Sequence, residues 1–367
     1  MIYLDSAATT LQKPRAVPAA VAAAITTMTT PGRGEHSASR LAAEKMLELR
    51  AMAAEFFDVS EPDYVVLTMN ATHALNIAIK SLISPGDTVA ISGYEHNAVT
   101  RAIHAIGDVN VRVVNAELFN RDQMAEGFER ALQDDVDAVV CTHTSNVFGY
   151  TLPMDDIAQI CRRRGVPLIV DASQSAGIVP VRLRTWGAAY VAMPGHKGLY
   201  GPQGTGLLLC GEGQLPDTLL QGGTGSLSRL QEMPDFLPDR LEAGTQNIHG
   251  AAGLLEGVRF VRKFVPGKIA HYEGHLMSML ARGLREKENY RVFHAGDSSS
   301  VLSVVPRDLT PEELGERLAA KGIATRAGLH CAPLAHMSAG TDRTGTLRFS
   351  ASVFNTEKEI ERVLNMM

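Results

Sequence analysis

The sequence has no cysteine pair, no long apolar run and no excess of positive charge. Its four cysteines, Cys141, Cys161, Cys210 and Cys331, form no C-x-x-C motif, and 367 residues bury enough core to fold without disulfide staples. No metal centre is expected. The most apolar early run, AVPAAVAAAI, is too short to span a bilayer and carries Pro18. The opening MIYLDSAATT has no basic stretch leading into an apolar one, so no signal peptide is expected. A net charge of −5 gives no electrostatic reason to bind nucleic acid or an anionic membrane. Internal repeats and low-complexity linkers are also missing. The expectation is a globular cytoplasmic protein with neither nucleic acid nor membrane as a partner.

Short Val/Ile-rich segments alternating with amphipathic ones fill the first two thirds of the chain. DYVVLTM precedes ATHALNIAIKSLI, TVAISG precedes HNAVTRAIHAI, and DAVVCTHT precedes MDDIAQICRRRG. PLIVDAS and WGAAYVAM read as further buried strands. This pattern predicts an α/β fold with a mainly parallel central sheet. Beyond about Gly250 it gives way to two long helical stretches and then to RVFHAG, VLSVVP, PEELGERLAAKG and GTLRFSASV. That change predicts a smaller C-terminal α+β domain. The expected division is a large domain over 1–255 and a small one over 256–367, with the N-terminal segment 1–15 packing on the small domain.

Ligands of open α/β sheets bind at the carboxyl ends of the strands. The polar residues Asn70, His96, Asn146, Asp171 and Lys197 gather there. Lys197 stands in MPGHKGLYGPQGTG after an apolar strand, and the glycines there are expected to let backbone approach a ligand. A lysine in such a pocket can lose its proton and form a Schiff base; the bland alternative is a solvated surface charge. Asp171 ends PLIVD, as a turn residue or as a carboxylate beside a cofactor cation such as the ring nitrogen of pyridoxal phosphate. Gln174 follows it by three positions. Asn70, Ala71 and Thr72 open a helix, where capping and anion binding are compatible. His96 is placed to stack on a flat ring. Cys141, Cys161 and Cys210 read as inert core thiols, whereas Cys331, in RAGLHCAPLAH, lies in a loop.

YLDSAATT, GHK around Lys197, the D-x-x-Q of Asp171 and Gln174, EAGTQN (242–247) and RFSASVFNT (348–356) together resemble the pyridoxal-phosphate-dependent class V aminotransferase family. The likeness is greatest to its cysteine desulfurase and selenocysteine lyase branch. It runs nearly end to end and implies a fold type I transferase. It implies that Lys197 holds the coenzyme covalently and that Asp171 pairs with the ring nitrogen. Asn146 and Gln174 would bond the phenolic oxygen side, and His96 would stack on the ring. Ala71, Thr72 and His196 would hold the phosphate, and Thr245 would reach the phosphate of a second subunit in a homodimer with shared sites. Pro194 departs from the family, which often has a serine there; Thr224 is a possible substitute.

R-x-G-x-x-C-A-P, with Arg326 and Cys331, resembles the desulfurase loop. It implies that L-cysteine (or selenocysteine) is the substrate, with Arg348 and Arg326 on the substrate side and Arg348 holding its carboxylate. Cys331 would take the sulfur as a persulfide, alanine would leave, and a sulfur-acceptor protein could follow. His330 and Arg326 are expected to lower the Cys331 thiol pKa. Arg33 and His36, in GRGEHSASR, are weaker candidates at the substrate entrance. A selenocysteine lyase or transaminase of the same fold remains an alternative, as does a non-catalytic scaffold.

Overall fold

The computed structural model describes every residue except Arg33, Pro266, Asp297 and Ser298, so Arg33 lies outside the described residues. In chain order the strands are β1 (Ile2–Tyr3), β2 (Val65–Thr68), β3 (Thr88–Ser92), β4 (Asn110–Val114), β5 (Ala138–Thr142), β6 (Leu168–Asp171), β7 (Tyr190–Pro194) and β8 (Gly206–Cys210). Then come β9 (Tyr290–Phe293), β10 (Val301–Pro306), β11 (Ile323–Ala324), β12 (Arg326–Gly328) and β13 (Thr346–Ser350). The first six helices are α1 (Ala16–Thr27), α2 (Ser37–Phe56), α3 (Ala71–Leu82), α4 (Asn97–His104), α5 (Arg121–Ala131) and α6 (Met154–Arg164). The rest are α7 (Leu183–Trp186), α8 (Ile248–Val261), α9 (Lys268–Glu286), α10 (Pro311–Ala320), α11 (Pro333–Ala339) and α12 (Glu357–Met366).

β2 to β8 form one sheet in the order β2-β8-β7-β6-β5-β3-β4. Strands β7, β6, β5, β3 and β4 pair in parallel, and only β8 runs against its neighbours. Along β5 alternate residues feed two separate cores: Val139 and Cys141 pack on one face, Ala138 and Val140 on the other. A parallel sheet covered on both faces needs strands that are apolar throughout, which is why these segments lack a polar side. The expected mainly parallel α/β sheet is therefore present. WGAAYVAM is shorter as a strand than expected, because Trp186 closes α7 and Gly187 caps it with φ +62°.

β12-β13-β10-β9 form a second, antiparallel sheet. The N-terminus joins this part of the chain: β1 pairs with β11 in parallel, and Asp5 bridges to Ser350. The expected division between residues 255 and 256 would cut α8 in half, and α8 packs along α1 and α2. A continuous helix on one core makes a poor boundary, so we propose that the division lies after α8, in the turn before α9.

Candidate active site

Three parallel strands deliver the site at their carboxyl ends. β3 leads to His96, β5 to Asn146, and β6 ends on Asp171. With Asn70, Ala71, Thr72, Ser173, Gln174, Pro194, His196 and Lys197 they line one cleft. Sequence reasoning passed over Ser173.

Lys197 enters the cleft with no hydrogen-bond or ion-pair partner for its amine among the described residues. Burial lowers its pKa to about 8, Asp171 opposes the shift, and Arg348 and Arg326 add to it. Asp171 is buried, and one of its oxygens accepts the Ser173 amide at 2.9 Å. It forms no ion pair among the described residues, so its charge is open to a cationic partner. The glycines flanking Lys197 do a different job from the expected one. A Cβ on Gly198 would lie 2.4 Å from the Ala176 carbonyl, and one on Gly195 2.2 Å from Thr205 Oγ1. They let the chain pack tightly on itself behind the lysine, and neither lines the cleft.

At the N-terminus of α3, the Asn70 side chain accepts the His73 amide at 2.9 Å. The first-turn amides of Ala71 and Thr72 have no acceptor within the helix and face the anion-attracting end of the dipole. His96 caps α4, with Nδ1 accepting the Ala98 amide at 3.0 Å. Burial lowers its pKa, Asp171 opposes that, and the Lys197 charge reinforces it. His196 bonds Thr9 Oγ1 at 3.0 Å, and burial lowers its pKa to about 4. The N-terminal strap also holds Gln174, whose amide donates to the Ala7 carbonyl at 2.9 Å. A free amine, an uncompensated carboxylate, a neutral imidazole and a helix N-terminus in one cleft fit a planar phosphorylated aldehyde with a basic ring nitrogen.

Cys331 is the exposed cysteine; the other three are buried. It follows β12, and Asn146 Nδ2 donates to the neighbouring His330 carbonyl at 2.8 Å. A Cys331 thiolate lies near enough to act on the charges of Lys197 and Arg326. His330 offers the thiol no positive charge. Burial pushes its pKa to about 2, so the ring is neutral, and Nε2 rests on the Thr346 carbonyl at 3.1 Å. Arg326 keeps its charge but spends it on Asp5, at 2.9 Å. Arg348 is buried; it donates to the Asn146 carbonyl at 2.9 Å and to Asp5 at 2.9 Å, and its Nε has no partner. Asp5 was missed although YLDSAATT had been singled out, because a carboxylate two residues beyond a short strand carries no local signal of what it pairs with.

Thr245 and Thr224 stand apart from the Lys197 cleft. Thr245 is exposed and lines a different hollow with Met69, Asn70 and His73, while Thr224 bonds Ser226. Buried Glu242 fixes the segment before Thr245, pairing with Arg50 at 2.6 Å and accepting the Leu67 amide at 2.7 Å. His36 is a helix cap, with Nδ1 accepting the Ser39 amide.

The profile of the family described as aminotransferase class-V matches residues 2–363. This chain belongs to the aminotransferase class-V family. Curated relatives of this class-V chain include a probable cysteine desulfurase of Methanothermobacter thermautotrophicus, 30% identical, the match covering 98% of this chain and 92% of the relative. A probable cysteine desulfurase of Mycolicibacterium paratuberculosis is 31% identical over 98% of this chain, which spans only 54% of that longer protein. Among solved structures, the apo cysteine desulfurase of Thermococcus onnurineus NA1 superposes with a TM-score of 0.91 at 28% identity, over 100% of this chain and 93% of that one. A cysteine desulfurase from Escherichia coli shares the class-V fold at a TM-score of 0.88 and 23% identity, covering 99% and 93% of the two chains. Among the described residues no helix is long and apolar enough to cross a membrane.

Proposed function

We propose that this chain is a pyridoxal-phosphate-dependent cysteine desulfurase that converts L-cysteine to L-alanine and carries the sulfur as a persulfide on Cys331. The observation that carries the reading is one exposed thiol beside a cleft that holds an unpartnered lysine amine and a buried unpaired carboxylate. The names of the relatives point the same way.

When bound, pyridoxal phosphate supplies an electron sink that lets bonds at the substrate Cα and Cβ break. Lys197 would hold the coenzyme, and its amine would move the Cα proton. Asp171 would keep the ring nitrogen protonated, and His96 would cover the ring face. Ala71, Thr72 and His196 would seat the phosphate, while Pro194 offers neither hydroxyl nor N–H there. Asn146 and Gln174 would orient the ring from its oxygen side. Arg348 would receive the substrate carboxylate, a task its planar guanidinium suits. The Cys331 thiolate attacks the substrate sulfur: an S–S bond forms, the Cβ–S bond breaks, and its electron pair goes to Cβ, which takes up a proton. Of the two thiol protons, one ends on alanine and one on the persulfide.

The reading includes a homodimer, with Thr245 serving the partner's phosphate from its exposed position, a cytoplasmic location, and an acceptor protein for the sulfur. The test is mass spectrometry of the protein after incubation with pyridoxal phosphate and L-cysteine. The expected result is one added sulfur on the Cys331 peptide with alanine released, and loss of both in Cys331→Ala. Alanine release that survives Cys331→Ala, or a new amino acid formed only with an added keto acid, overturns it in favour of a lyase or a transaminase.

A further inference from the structure

Two arginines face each other across the antiparallel pair β12–β13, where Arg326 is the register partner of Arg348. Like charges directly opposite on adjacent strands repel unless a counter-charge lies between them. Asp5 is that counter-charge. One of its oxygens accepts from Arg348 Nη2 at 2.9 Å, and the other accepts from Arg326 Nη2 at 2.9 Å and Nε at 3.1 Å. The N-terminus delivers it by pairing β1 with β11 and bridging Asp5 to Ser350. The Asp5 hydrogen bond is the main reason the Arg326 pKa is raised. The charges of both arginines reach Lys197, so both belong to the electrostatic environment of the cleft.

We propose that Asp5 is a specificity-determining residue: it neutralises one of the two arginines and leaves the substrate a single net positive charge. The proposal rests on the reading of the site as one for an amino acid joined to pyridoxal phosphate. With Asp5 in place, two guanidinium charges and one carboxylate leave one charge, which matches the α-carboxylate of an amino acid with an uncharged side chain. Arg326 is held by Asp5 at both Nε and Nη2, which leaves only its Nη1 for a second anionic group. Without Asp5, Arg326 is released next to Cys331 and can take a side-chain carboxylate. Asp5 thus acts through the arginines and touches no substrate itself.

The test is titration of the reconstituted holoenzyme with L-alanine and with L-aspartate, read by the coenzyme absorbance. Asp5→Asn is expected to shift the affinity ratio toward L-aspartate by about tenfold or more, as one charge-assisted hydrogen bond allows. Adding Arg326→Gln to that variant is expected to reverse the shift. An unchanged ratio in Asp5→Asn overturns the proposal, and so does a shift that survives Arg326→Gln. Should Asp5→Asn not fold, Arg326→Gln alone leaves Asp5 and Arg348 as a neutral pair. Its affinity for L-alanine is then expected to fall about tenfold, and unaltered affinity overturns the proposal. If the wild-type protein forms no chromophore with pyridoxal phosphate, the underlying reading fails; if it does and L-alanine binds, an unmoved ratio removes the role of Asp5 alone.

Discussion

The amide of Asn97 donates to the carbonyl of Cys331 at 2.7 Å. Asn97 is the first residue of α4, so its N–H has no acceptor within the helix and is free to reach outside. The helix start that presents His96 therefore also holds the thiol loop. Asn146 holds the preceding carbonyl from the other side. Between these two anchors His330 and Cys331 take φ of +50° and +54°, a left-handed conformation that costs residues with a side chain roughly 1 kcal/mol each. Two hydrogen bonds worth about 0.5–1.5 kcal/mol each offset that cost.

Asn97→Pro isolates this tether. Proline is well tolerated at the first helical position, and His96 before it is already extended, with ψ 155°. The helix should survive while the one hydrogen bond is lost. Cys331 should then react with an alkylating reagent about 2–10-fold faster, with no change in the unfolding midpoint beyond that of a surface substitution. An unaltered alkylation rate would show that other contacts hold the loop.

The sheet was legible because strands buried on both faces must be apolar throughout and the helices between them must be striped; that pattern is local. So were Lys197, Asp171, Asn146 and His96, since the carboxyl end of a parallel strand is a place the pattern itself marks. Asp5 was not legible, because its meaning comes from Arg326 and Arg348, more than 300 positions away in the chain. His330 misled for a related reason. A histidine beside a cysteine suggests a charged neighbour, but the ring is buried and neutral, stacked on His336 and resting on Thr346, and local sequence shows neither contact. The glycines around Lys197 were read as room for a ligand when they are room for Ala176, Thr205 and Leu254. Sequence shows that a side chain is small but not what presses against it.

The lowered pKa of Lys197 gives the apo protein a signature of its own. Only the neutral amine attacks an aldehyde, and burial brings that form into reach at about pH 8. The second-order rate of coenzyme attachment should rise tenfold per pH unit below 8 and level off above it. Stopped-flow absorbance from pH 6 to pH 9.5, with borohydride trapping to confirm Lys197 as the site, measures this. A rate still climbing in proportion to hydroxide at pH 9.5 would mean that the amine keeps the basicity of an ordinary exposed lysine.

Glu273 tests the packing behind the lysine. It is buried on α9, with Oε1 accepting the Tyr200 hydroxyl at 3.2 Å, and it lines a small cavity with Lys197 and Gln174. Burial raises its pKa from 4.5 to about 8, so the folded protein keeps it protonated where the unfolded chain does not. Its contribution to stability is full below about pH 4.5, shrinks as pH rises because the unfolded state gives up the proton first, and is gone once the pH has passed about 8. Glu273→Gln keeps an acceptor for Tyr200 and removes the titration. The variant should gain on the wild type by at most about 1.4 kcal/mol per pH unit between pH 5 and pH 8, and the gap should stop widening above that. Urea unfolding at unit pH steps from 5 to 9 reads the gap directly, and a gap that stays constant across the series would show that Glu273 titrates alike in both states.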